Sequence, residues 1–103
     1  MSVSLVINWP DGKFEEVPVA SQRGGEWWAE FARGLRLELV PHFHSFIPVE
    51  PDRLDQFVCE VTTFREAVAK EGPGYEQTLE AADRLIKAFH RLKRSEGWTA
   101  SIG

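Results

Sequence analysis

The chain has 103 residues, 43% of them hydrophobic and 27% charged, with a formal net charge of −4 at pH 7. That length suits one domain spanning 1–103, able to bury a core without staples, and seven Phe, four Trp and one Tyr exclude a disordered chain. A single cysteine excludes an internal disulfide, and the acidic balance disfavours a nucleic-acid partner gripped by its phosphates.

Val3, Leu5 and Ile7 alternate with Ser4, Val6 and Asn8, a strand pattern. Pro10-Asp11-Gly12 is turn chemistry, and Phe14, Val17 and Val19 then read as a second strand. Pro18 has no N–H for a ladder, so it places that strand at a sheet edge or at its own end. The apolar run to Trp9 has no basic residues before it and Asp11 just after, so it does not read as a secretory signal.

Ser21 to Gly25 reads as a loop and Glu26 to Arg33 as a short helix, with Gly34 capping it through a left-handed turn. Leu35, Leu37 and Leu39 alternate with Arg36 and Glu38. This predicts a third strand up to Pro41, the competing reading being a helix that continues to Val40. Prolines at 41, 48 and 51 keep the next segment irregular. Its residues Phe43, Phe46, Ile47 and Val49 are apolar, so the loop is either folded onto the core or offered to a partner.

Asp52 is the expected N-cap of a helix whose Leu54, Phe57, Val58, Val61, Phe64 and Val68 share a face. Gly72-Pro73-Gly74 ends it. Tyr75 to Ser95 forms the last helix, with Gly97 as a cap beyond it. The two helices should pack as an antiparallel hairpin, and Trp98 to Ile102 is a tail suited to a sheet edge. The expected fold is therefore α+β: a small antiparallel sheet from the N-terminal hairpin plus a third strand, covered by the helical hairpin.

Charge is segregated along the chain: residues 1–83 carry seven Lys/Arg and fifteen Asp/Glu, residues 84–103 five and one. Arg84, Lys87, Arg91 and Arg94 stand in one column on the last helix. The column is a candidate electrostatic contact for phosphate, carboxylate or an acidic protein surface. Alternatively it is a solvated face, with Glu80–Arg84 and Asp83–Lys87 paired along the helix.

His42 and His44, two apart, would face one side of an extended segment. Two histidines alone make neither a metal site nor a base with a positioned partner. With Phe43 and Phe46 they form a candidate partner contact, the alternative being both rings buried. Of the pair Trp27-Trp28, Trp28 fits the helix's apolar stripe and Trp27 lies about 100° away, the better candidate for a half-exposed anchor. Trp9 and Trp98 are assigned to packing near the sheet.

Cys59 lies opposite its helix's apolar stripe, near Glu60, and is read as unreactive. Asp52 and Asp55 are helix-start chemistry. Gly24-Gly25 lacks the lysine and the strand-to-helix register of a phosphate loop, and Gly72-Pro73-Gly74 is a turn. No catalytic residue, cofactor or metal is assigned.

The expectation is a cytoplasmic, non-enzymatic protein–protein interaction module outside the membrane. Its finer form is a small acidic inhibitor or immunity-type protein that neutralises a toxin or nuclease. Glu15, Glu16, Asp52, Asp55 or Glu60 would then form its acidic contact. One alternative is a small enzyme or ligand-binding domain using His42, His44 and Arg91 on an anionic molecule. The other is a homodimer formed through the helical hairpin.

Overall fold

A computed structural model describes residues 2–103. Strand β1 (Ser2–Asn8) and strand β2 (Phe14–Ser21) form the expected hairpin, with Leu5 opposite Val17 and Ile7 opposite Glu15. Its turn is built as the sequence suggests. Gly12 takes φ 87, and the Asp11 carboxylate accepts the Lys13 N–H at 3.0 Å. Helix α1 (Gln22–Gly34) starts four residues before Glu26, because the Ser21 hydroxyl caps it by accepting the Gly24 N–H at 3.0 Å. The segment Ser21–Gly25 is thus strand end and helix start, not a loop.

The predicted strand over residues 35–40 does not form, and the helix does not continue either. Leu35 caps α1, and the left-handed residue is Arg36 (φ 60), not Gly34. The Leu37 N–H returns to the Ala32 carbonyl and the Arg36 N–H to that of Arg33, a Schellman closure. Leu39 and Val40 then send their N–H groups to the buried carboxylate of Glu60, at 2.8 and 3.3 Å. Those donors are satisfied without a neighbouring strand, so Leu39 is buried without a ladder, while Leu35 and Leu37 are half-buried.

After a 3-10 turn at Val40–His42 comes the two-residue strand β3 (Ile47–Pro48). A second 3-10 turn at Pro51–Arg53 leads into α2 (Leu54–Ala69), so Asp52 lies inside that turn and is not the helix cap. Gly72 and Gly74 have positive φ in the link to α3 (Glu76–Lys93), which is slightly shorter than the expected Tyr75–Ser95. The tail forms β4 (Thr99–Ile102). The sheet is antiparallel with order β2-β1-β4-β3, so the third strand beside the hairpin is the tail, in an interior position. Pro18 lies on margin strand β2, as a residue with no ladder donor should.

The helices cover one sheet face. Leu5, Ile7, Val17 and Ile102 are buried there with Phe57, Phe64, Phe89 and Leu92 from the antiparallel α2–α3 hairpin. Each fully buried side chain of this size contributes about 1.5–3 kcal/mol. Trp98 closes the far end of α3, its indole N–H reaching the carbonyls of Leu92 (2.9 Å) and Ser95 (3.2 Å). The shortest extent of the molecule is 20 Å, the depth of two layers. No helix is long and apolar enough to cross a membrane among the described residues.

Candidate functional site

The residues singled out from the sequence are not brought to one place. Phe43 is fully buried, stacked at 6.1 Å on Phe57, which removes it from any contact surface. Phe46 is 62% exposed. His42 and His44 sit in a 3-10 turn and the turn after it, not in an extended segment, and they diverge. His42 borders a groove with Glu38, Ile47 and Arg53. His44 borders another, against α1.

That second groove is where two of the candidates meet. About 480 Å³ in volume, it is lined by Trp27, His44 and Ala29 with Arg23, Glu26, Glu30 and Arg33. The four charged residues recur at helical spacing along the outer side of α1. None of the four is in an ion pair among the described residues. His44 Nδ1 is buried without a hydrogen-bond partner.

Gly25 makes this meeting possible. A Cβ there would lie 2.7 Å from Val3 Cγ2 and 3.0 Å from His44 Cβ, so only glycine lets the His44 turn and β1 close on α1. No sequence signal marked this role, because a glycine needed for space has no local pattern.

Trp27 is half-buried and held from three sides. It stacks on Tyr75 (5.4 Å, 17°), leans on Phe31 (5.2 Å) and meets the edge of Phe64 (6.2 Å). It also forms one wall of a further groove of about 330 Å³, with Tyr75, Val19 and Thr78. Trp27 is therefore a fixed ridge between a charged groove and a more apolar one. Trp28 is buried, stacked on Phe64 at 4.3 Å.

The cationic column of α3 runs beside the edge strand β2. Arg91 grips Glu15 with both guanidinium nitrogens, Nη1 to Oε1 at 3.1 Å, and Arg84 donates to the Pro18 carbonyl at 3.3 Å. The guanidinium of Arg91 holds the Glu15 carboxyl below its usual value, and Glu15 in turn raises Arg91. Neither i,i+4 pair expected within α3 is formed. Asp83 bonds Arg65 of α2 instead, at 2.6 Å. Lys87 and Arg94 take part in no ion pair among the described residues.

Of the acidic residues Glu15, Glu16, Asp52, Asp55 and Glu60, Glu16 and Asp52 are exposed and in no ion pair among the described residues. Glu15 is tied to Arg91, Asp55 to Lys93, and Glu60 is buried against Leu39 and Val40. Cys59 is exposed. No three His, Cys, Asp or Glu stand together as a metal site among the described residues. No protein-family model, curated protein or solved structure matches the chain.

Proposed function

We propose that the chain is a protein-binding module whose contact surface is the outer side of α1, centred on Trp27. The observation that carries this reading is the state of that ring: half-exposed, yet fixed on Tyr75, Phe31 and Phe64. A rigid aromatic anchor loses little freedom on binding, which is why such residues dominate interface energies. Arg23, Glu26, Glu30 and Arg33 supply a rim of both signs with no ion pairs of its own to break. The groove is open, as suits a partner side chain.

The finer form of the reading is an acidic inhibitor of a toxin or nuclease. It is supported by small size and a net charge of −4, with the contact moved from the carboxylates named above to α1. The test is affinity capture from the native lysate with wild type and Trp27→Ala side by side. A stoichiometric polypeptide retained by wild type and weakened at least ~10-fold by the variant supports the reading. Capture that ignores Trp27→Ala, or retention of no polypeptide, overturns it.

A further inference from the structure

We infer that the uncovered face of the sheet is a docking surface for a second copy of this chain. Strand alternation puts one set of side chains on the helix side and the other on the opposite face, where Phe14, Glu16, Pro18, Pro48 and Thr99 are exposed. Glu16, Val6, Ser101 and Pro48 stand side by side in one row across the four strands. Pro18 and Ser4 lead the next row, Ser4 itself being buried where it pairs with Gly103, and Phe14, Asn8 and Thr99 form the row on the other side. Phe14 and Phe46 are the two exposed large hydrophobics among the described residues, at 64% and 62%, and both belong to this face. Phe46 lies against the Gly103 backbone, where a Cβ would come within 3.3 Å of its ring. The two rings occupy diagonally opposite corners.

Charge and shape together select the occupant. The chain is 27% charged, yet Glu16 is the only charged side chain in these paired rows. A partner chosen by charge has nothing to read here. Two copies of a chain at −4 repel over most of their surfaces and can approach through a face like this one. The face is also self-complementary. A two-fold axis along the strands lays β2 of one copy over β3 of the other. Glu16 then meets Pro48 and not a second Glu16, Val6 meets Ser101, and Phe46 meets Pro18. The diagonal placement keeps the Phe rings from colliding. The product is two sheets packed face to face with helices outside.

Four strands at about 4.8 Å spacing and roughly 20 Å of length offer on the order of 300–400 Å² per copy. A standard stable interface takes about 800 Å² per partner, so this pairing is reversible. Sedimentation equilibrium of the whole chain from low micromolar to millimolar concentration tests it. The average mass of wild type rises from 11.7 kDa towards twice that value. The Phe14→Glu, Phe46→Glu double variant alters only exposed side chains and stays at 11.7 kDa throughout. Concentration-dependent amide shifts of wild type, a readout that needs no variant, fall on β1, β4 and β2.

Wild type that remains monomeric at every concentration overturns the inference. So does a double variant that associates as wild type does, or shifts that fall on α2 and α3. A monomer that instead co-sediments with phosphatidylcholine vesicles assigns the face to lipid and also overturns it. Trp27→Ala self-associates as wild type does, so loss of partner capture and loss of self-pairing are read separately.

Discussion

Arg36 and Gly25 show how differently single residues can be constrained. Arg36 is the one non-glycine residue with positive φ among those described. It closes α1 in a conformation where the Cβ crowds the neighbouring carbonyl. Gly25 is helical, and its constraint is space: Val3 and His44 occupy the volume a Cβ would need. Each residue has a neighbour in sequence, Gly34 or Gly24, that could be mistaken for it. Arg36→Gly should therefore raise stability by about 0.5–1 kcal/mol, the relief of the left-handed penalty less the extra freedom of glycine when unfolded. Urea denaturation should show a higher midpoint at unchanged slope. A lower midpoint would mean that the Arg36 side chain makes contacts that outweigh its backbone cost.

Among the elements, the join between α1 and α2 depends on one carboxylate. Glu60 on α2 accepts the Leu39 N–H at 2.8 Å, the Val40 N–H at 3.3 Å and a Gln56 side-chain N–H at 3.0 Å, and is itself buried. Replacing it with alanine leaves two main-chain donors dry. Glu60→Ala should cost about 2–3 kcal/mol. Glu60→Gln keeps an acceptor and should cost less. Amide exchange gives the local check: Leu39 and Val40 should lose protection in the alanine variant before α2 does, and equal loss everywhere would deny the clamp. The same contact explains what the sequence could and could not tell. The helices and the first hairpin were legible because their apolar spacing repeats over many residues. Leu35, Leu37 and Leu39 alternate as strand residues do, but alternation reports burial at most, and here Leu39 alone is buried, in a loop pinned by a glutamate 21 residues away, with Leu35 and Leu37 half-buried. Trp27 was legible by its angle from Trp28. Its meeting with His44 was not, because that depends on the missing Cβ of Gly25.

Over the whole molecule, the uneven charge along the chain resolves into self-recognition. Residues 84–103 carry five cations and one acid, and the rest of the chain is strongly acidic. The fold lays this basic end back on the acidic remainder. Arg91 takes Glu15, Lys93 takes Asp55, and Arg84 takes the Pro18 carbonyl on the open edge of β2. The tail itself enters the sheet between β1 and β3. Two of the four cations of the column, Arg84 and Arg91, thus dock α3 on an edge strand and block that edge, while Lys87 and Arg94 take part in no ion pair among the described residues. A pH dependence follows. Glu15 titrates below its ordinary 4.5 because Arg91 bonds its charged form. A depressed carboxylate stabilises the fold fully above its unfolded value, and that contribution fades as pH falls through the lower folded value. Glu76 adds to the same trend, its charge held by its own backbone N–H and then by that of Gly74. Thermal melts of wild type should thus lose Tm as pH drops below 4.5, the ordinary value of both groups. Glu15→Gln should start lower at neutral pH and fall less steeply on acidification, with Glu76→Gln showing the smaller flattening of a carboxylate that has no side-chain cation. Parallel curves for wild type and Glu15→Gln would show that the Arg91 contact does not hold the edge in solution.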